Sequence, residues 1–284
     1  MTSNAMLLTP QIADRLIDAG LDQFVVSIDG TSGEVHYSIR PGAFLEQIKR
    51  NVLHLYWRSA SRAVPPIRIG IEFVAMRRNL HELIHLGDVG KQIKASFILI
   101  SNVLPYTADL QDEILYRVRP GTYESTGTPY TPLWMIPQMD FNDTTLPVLS
   151  QIARGQSNLS FLDIPLSSRS NFCPFVQAGS MSIAWHGGVS PCPPLMHSYS
   201  CYIRNRKKEM LRCAFGRLPD RSLPEIWRAP DFVSFRSRVK AFDFPPCTDC
   251  GGCLLSETNE EDCLNNPFPV CGDCLWARGV LRCA

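Results

Sequence analysis

Seven of the chain's eleven cysteines fall in its last 38 residues, at Cys247, Cys250, Cys253, Cys263, Cys271, Cys274 and Cys283. Their spacing is C-x2-C-x2-C-x9-C-x7-C-x2-C-x8-C. A C-x2-C pair lets two thiolates from one turn reach a single metal centre, as structural zinc sites and iron–sulfur clusters both require. Disulfides do not favour that gap, because neighbouring cysteines rarely reach the needed Cα separation and dihedral without strain. Cys173 and Cys192 stand upstream, with Cys201 and Cys213 close behind. A Cys-rich tail with few other apolar anchors is expected to be held only by metal. Zinc would take clean four-ligand sets. Ligands drawn from both sides of the stretch 193–246 suit cluster-bound loops better, with zinc left as the alternative.

A disulfide-stapled secreted domain would also use many cysteines. The opening MTSNAMLLTPQIADRL carries no basic segment followed by an apolar one, so no signal peptide is read there. The expected compartment is a reducing cytoplasm. At 284 residues the chain has room for one large domain or two ordinary ones. A net charge of +1 gives no reason to expect nucleic acid, and no apolar run is long enough to span a bilayer.

A second chemical motif is His81-Glu82-Leu83-Ile84-His85, a literal H-E-x-x-H. On a helix its histidines would share a face and could bind zinc, with the glutamate as general base of a hydrolase. Leu83 and Ile84 serve a core stripe, and the third ligand with least against it is Glu113, across a strand and a loop. The bland reading is two surface histidines. His186 and His197 read as loop residues, and Cys201 and Cys213 as small buried thiols.

The elements that must position these residues alternate over the first 101 positions. Thr9 caps a helix with Pro10 at its first position, and Ile12, Ala13, Leu16 and Ile17 form its face. Phe24 to Ile28 reads as a buried strand ending at Asp29-Gly30. A second helix carries Phe44, Leu45, Ile48, Val52 and Leu55. The next strand is Ile67 to Val74, then a helix capped by Asn79, then the strand Ser96 to Ser101. Crossovers of this length imply a parallel sheet with helices outside it. The strands are too few for a closed barrel, so a fragment or a partial barrel is expected. Residues 102–170 read mostly as loops, with short helices over Leu110–Val118 and Leu146–Arg154. Farther on, Met181 to Cys192 reads as a hairpin turning at His186-Gly187-Gly188. The basic run 204–212 reads as a solvated loop or helix face. Ser222 and Glu225 form a capping box, and Pro230 starts a helix that leads into Cys247.

Cys173-x13-Gly187-x4-Cys192, then Cys247-x2-Cys250, then Cys271, Cys274 and Cys283 resemble the SPASM domain of radical SAM enzymes. That pattern reads C-x(9–15)-G-x4-C, C-x2-C-x5-C-x3-C and a final C. Here the Cys271–Cys274 gap is one residue short, and Cys253 and Cys263 sit in an insert. The resemblance implies 4Fe-4S auxiliary clusters, two as a rule, held by Cys173, Cys192, Cys247, Cys250, Cys253, Cys263, Cys271, Cys274 and Cys283. The first half resembles the later part of the radical SAM barrel: SNAMLLT its third strand, FVVSIDG its fourth, IRIGIE its fifth and FILISN its sixth. By that likeness Ser27, Asp29 and Asn102 would face S-adenosylmethionine. The tail around CTDCGGC, NPFPVC and CLWARGV resembles the maturases of tungsten-cofactor oxidoreductases.

The resemblance implies an α/β protein with a partial TIM-like barrel over 1–165 and an iron–sulfur domain over 166–284. It implies a peptide or protein substrate, a tungsten-dependent oxidoreductase among the candidates. The family's C-x3-C-x2-C loop, which cleaves S-adenosylmethionine, does not occur in this sequence. The chain therefore reads as one whose N-terminal part is missing and which is inactive alone. The alternatives are a non-catalytic iron–sulfur binding or electron-transfer module, and the H-E-x-x-H hydrolase.

Overall fold

The computed structural model describes residues 1–62, 65–116, 120–125, 133–155, 159–162, 171–204, 206–250 and 253–283. Two compact units are present: Met1–Val103 with Glu113–Ile164 and Leu281–Ala284, and Leu104–Asp112 with Pro165–Val280.

The first unit runs β1 (Thr2–Ser3), α1 (Pro10–Asp18), β2 (Gln23–Ser27), α2 (Gly33–Ile39), α3 (Leu45–Arg62), β3 (Arg68–Ala75), α4 (Leu83–Gln92), β4 (Ala95–Asn102), β5 (Pro120–Ser125), β6 (Leu133–Met135), β7 (Met139–Asp140), α5 (Leu146–Gly155) and β8 (Leu159–Leu162). Strands β1, β2, β3, β4 and β6 lie side by side in that order, each neighbouring pair parallel. The α/β class and the parallel sheet expected from the alternation are therefore present. Strand β6 extends the sheet from a stretch whose weak periodicity reads as loop. Thr9 caps α1 as expected, its Oγ1 accepting the Ile12 N–H at 3.3 Å.

Side chains alternate across each strand, and the two faces differ. Phe24, Val26, Ile28, Ile69, Ile71, Phe73, Ile98 and Ile100 share one core with Leu45, Ile48, Val52 and Leu55 of α3 and Leu83, Leu86 and Val89 of α4. Val25, Ser27, Glu72, Leu99 and Ser101 fall on the other face. Ser27 pairs with Glu72, and Glu72 with Leu99.

Three local expectations change. The helix expected from Asn79 is split into a 3₁₀ turn, Arg77–Glu82, followed by α4. Asn79 is fully buried instead of capping α4, and its Oδ1 accepts the Met76 N–H at 2.7 Å. Its Nδ2 donates to the Asp29 and Val74 carbonyls at 3.0 Å each, which ties the end of β2 to the end of β3. The expected helix at 110–118 is a 3₁₀ turn, Asp109–Glu113, with 117–119 outside the described residues. Ile114, Leu115 and Tyr116 are buried in succession, so extended chain suits them better than a helix with one apolar face.

The second unit runs α6 (Pro174–Gln177), β9 (Ser182–Ile183), β10 (Gly188–Ser190), β11 (Tyr199–Ile203), β12 (Arg206–Met210), β13 (Gly216–Arg217), α7 (Leu223–Trp227), α8 (Pro230–Ala241) and α9 (Cys247–Cys250). Its core joins Val176, Val189, Ile226, Phe232, Phe235, Val239, Phe242, Phe244 and Val270. Phe215 stacks on Phe232 at 4.5 Å between centroids. The hairpin β9–β10 and the Ser222–Glu225 capping box form where expected. The basic run does not: Arg206–Met210 is a strand paired with β11, and Lys208 lies inside it at 1% exposure. Alternation explains this, since Arg206, Lys208 and Met210 share one face while Lys207 and Glu209 share the other. No helix among the described residues is long and apolar enough to cross a membrane.

Replacing Asn79 with Ala strands a buried amide and two buried carbonyls, each worth roughly 1–3 kcal/mol unsatisfied. The variant is expected to be about 3 kcal/mol less stable in urea unfolding. An unchanged midpoint would show that this residue does not hold the strand ends.

Candidate metal centre

Cys173 opens α6, and the amides of Phe175 and Val176 point at its sulfur. Cys192 opens the 3₁₀ turn Pro193–Leu195, with the Leu195 amide turned to it. Cys274 receives the amides of Trp276 and Ala277. Each sulfur thus sits where a turn leaves backbone donors without intrahelical partners.

These thiols feel one another. Burial pushes the Cys192 thiol well up, and Cys274 and Cys173 push it further. Burial does the same to Cys271, reinforced by Cys274, Cys192 and Cys173. Cys274 is pushed to about 12, by burial and then by Cys173. Cys173, Cys192, Cys271 and Cys274 therefore form one electrostatic group. Two glycines allow it. Gly187 has φ +86°, and a Cβ there would lie 2.4 Å from the Leu218 carbonyl oxygen. At Gly272 a Cβ would meet the Pro245 carbonyl at 2.4 Å and Cys247 Sγ at 3.1 Å.

Cys247 leads toward a second group. Its thiol is pushed up to about 11 by burial and Asp273, opposed by Lys208, with Cys263 and Asp262 adding smaller pushes. Cys250 ends α9, and its side chain lies outside what is described. Cys253 and Cys263 are exposed. Cys283 is exposed and falls in the first unit, where the Arg282 N–H donates to Ser101 Oγ at 3.1 Å. Cys201 and Cys213 are buried, as expected of small thiols.

Metal is not the only thing holding the tail, contrary to the expectation from its composition. Arg204 donates to the Thr248 carbonyl at 3.2 Å, and Arg278 to the Gly272 carbonyl at 2.7 Å. Arg238 donates to the carbonyls of Pro267 and Pro269 at 2.9 and 3.2 Å. Lys208 donates to those of Ser256 and Thr258 at 3.0 and 2.6 Å. Asn259 bonds both backbone groups of Leu211, at 2.8 and 3.0 Å.

The donor chemistry fits an iron–sulfur cluster. The grouped side chains are soft thiols, three with amide donors aimed at them. Thr248 Oγ1, between Cys247 and Cys250, is buried without a partner among the described residues.

In the first unit, Ser27 ends β2 and is buried beside Glu72 in register. Both Asp29 carboxylate oxygens are engaged, Oδ2 by Arg40 Nε at 2.6 Å and Oδ1 by the Val74 N–H at 2.8 Å. Its N–H donates to Nδ1 of the buried His36 at 3.2 Å. Asn102 pairs with Ala75, on the opposite face from Ser27, and donates to the Gln138 carbonyl at 2.9 Å. Ser27 and Asn102 thus do not share a face. Glu72 is the polar group the motif reading passed over. Burial, with Asp29 nearby, raises its carboxyl above the usual range, against Arg40. A charged residue inside IRIGIEFV, out of phase with Ile69, Ile71 and Phe73, was the available signal.

The H-E-x-x-H motif does not assemble. His81 lies exposed in the 3₁₀ turn and His85 exposed in α4. Glu82 turns inward, accepting bonds from the amides and hydroxyls of Thr31 and Ser32. Burial pushes its carboxyl up, but these donors outweigh that and hold it below the usual range. Glu113 pairs with Arg78 at 2.8 Å.

Residues 173–253 match SPASM, an iron-sulfur cluster-binding domain, as the cysteine spacing led us to expect. The chain is 27% identical over 292 residues to the tungsten-containing aldehyde ferredoxin oxidoreductase cofactor-modifying protein of Pyrococcus furiosus, covering 100% of this chain and 74% of that protein. It is 26% identical over 285 residues to the AdoMet-dependent heme synthase of Nitratidesulfovibrio vulgaris, covering 95% and 70%. Among solved structures, Streptococcus suis SuiB aligns at TM-score 0.46 and 14% identity, over 83% of this chain and 50% of SuiB. The protein anSMEcpe with bound AdoMet aligns at TM-score 0.48 and 14% identity, over 98% and 70%. The chain thus carries a SPASM domain over residues 173–253 and spans half the length of SuiB.

Two outcomes follow, the first for the protein as purified and the second for the metal-free protein. Changing His81 or His85 to Ala is expected to leave metal content and melting temperature unaltered; loss of bound zinc would revive the hydrolase. A thiol whose pKa rises on folding stabilises the fold below its unfolded value and loses that contribution as pH climbs through the folded one. With Cys247 and Cys213 at about 11 and Cys201 and Cys274 at about 12, stability should fall between about pH 9 and 12. Thermal melts across that range test it, and a flat profile would mean that the thiols are exposed.

Proposed function

We propose that the thiol-rich unit holds two 4Fe-4S clusters and works as the auxiliary half of a radical SAM maturase. Cys173, Cys192, Cys271 and Cys274 hold the first cluster. Cys247 and Cys250 open the second set, completed from Cys253 and Cys263. The observation that carries this reading is the match of residues 173–253 to an iron–sulfur cluster-binding domain, with turn amides aimed at Cys173, Cys192 and Cys274. Bound clusters would supply one-electron transfer or an iron open to substrate. The chain's own part is to strip water from the sulfurs, aim amides at them and fix the loops through buried cations.

In the first unit, Ser27 and Glu72 line the sheet face away from the helices, where a polar substrate or AdoMet would lie. Asp29 acts as a positioning residue there, because its carboxylate already ties β2, β3 and Arg40 together. The substrate class is a peptide or protein, and the cofactor-modifying Pyrococcus relative makes an oxidoreductase a candidate partner. The second reading, an electron-transfer module, is favoured by one observation: every cysteine lies at or beyond Cys173, and no C-x3-C-x2-C occurs.

Anaerobic reconstitution should give a brown protein with broad absorbance near ~400 nm, from thiolate-to-iron charge transfer. Cys274→Ala should halve the iron and sulfide bound per chain. A colourless protein with stoichiometric zinc and no sulfide would defeat the cluster reading. Reduced with dithionite and given S-adenosylmethionine, this chain alone should form no 5′-deoxyadenosine. More than one turnover per chain would show that it builds its own cleavage site.

A further inference from the structure

Lys208 is nearly inaccessible, at 1% exposure, in a position where lysine is rarely found. Strand pairing puts it opposite Cys201 on the inner face of the β11–β12 hairpin. An ammonium has three N–H donors, and each has an acceptor here: Ser256 O at 3.0 Å, Thr258 O at 2.6 Å and Asp273 Oδ2 at 2.9 Å. The first two acceptors belong to the turn after Cys253, and Asp273 lies between Cys271 and Cys274. One side chain therefore joins the two loops that flank Cys247.

Asp273 Oδ2 also takes Arg206 Nη2 at 3.2 Å, so two cations share one carboxylate. Glu209 faces the other way, on Lys207 at 2.8 Å and on Ser200. Asp262, the other buried acid near Cys247, keeps its charge, with the N–H groups of Leu264 and Asn266 and Asn266 Nδ2 at 2.9 Å donating to it. Burying an ammonium is costly unless it is compensated. If tying carbonyls together were its whole task, a neutral amide could do part of it. The buried positive charge of Lys208, which opposes Asp273 at Cys247, suits an anionic group that gains further negative charge on reduction.

We propose that Lys208 is a positioning residue for the cluster at the Cys247 end, holding its loops and raising its reduction potential through its charge. The inference rests on the reading that this end holds a cluster. The charge lowers the free energy of the reduced state more than that of the oxidised state, because the reduced state carries one more electron.

The test is a redox titration followed by electron paramagnetic resonance on reconstituted wild type, Lys208→Gln and Lys208→Arg, with iron and sulfide counted. Lys208→Gln is expected to keep full loading and to lower the potential of one cluster, the one that Cys247→Ala removes. Lys208→Arg is expected to keep the wild-type potential. Full loading of Lys208→Gln with both potentials unchanged would overturn the proposal. If Lys208→Gln loses that cluster, rescue by Lys208→Arg supports the charge requirement, and failure of Lys208→Arg as well overturns it. A wild type that binds no iron or sulfide removes the cluster reading itself, and Lys208 with it.

Discussion

Sulfur kept out of water is the constraint on which the C-terminal unit depends. Thiols crowded together resist ionisation, because burial and mutual repulsion both oppose the thiolate that a metal needs. The structure meets this in two ways. Turn amides at Cys173, Cys192 and Cys274 offer donors to the charged form. Cationic side chains from the surrounding scaffold, Arg204, Lys208, Arg238 and Arg278, bind the carbonyls of the cysteine loops and hold them in place. Metal binding then replaces protons on a preformed framework and need not fold the tail from nothing.

The first unit solves a similar problem at the ends of its parallel strands. There the chain leaves the sheet and its backbone groups lose their ladder partners. Asn79, Asp29 and Glu82 take up those groups from inside, each bonding segments far apart in sequence. A carboxylate near a strand end is therefore not by itself a ligand-binding group. Asp29 and Glu82 are framework, and Glu72, on the face with Ser27, is the one with a raised pKa.

Helices with a clear apolar stripe, such as Leu45 to Leu55, and the buried strands were legible because the 3.6 and 2.0 periods state which side faces the core. The cysteine pairs were legible because a two-residue gap leaves few chain geometries. Gly187 was legible as part of that spacing, and its positive φ with the Leu218 carbonyl beside it gives the reason. The inward turn of Asn79 and Glu82 was not, since cap and core bond use the same side-chain atoms. Nor was β12, whose composition reads as solvated although its alternation fits a strand.

The amino-acid sequence by itself determined the chemistry available: a thiol set with metal-binding spacing after a run of β–α crossovers. Local geometry follows from local spacing, so a C-x2-C turn or an amphipathic helix needs no distant partner to be recognised. Only the tertiary structure decided which thiols meet, that Gly272 brings the Cys271–Cys274 loop against Cys247, and that Lys208 is enclosed among them. Those outcomes depend on contacts between segments tens of residues apart, which loop closure and burial select together and which no local pattern encodes.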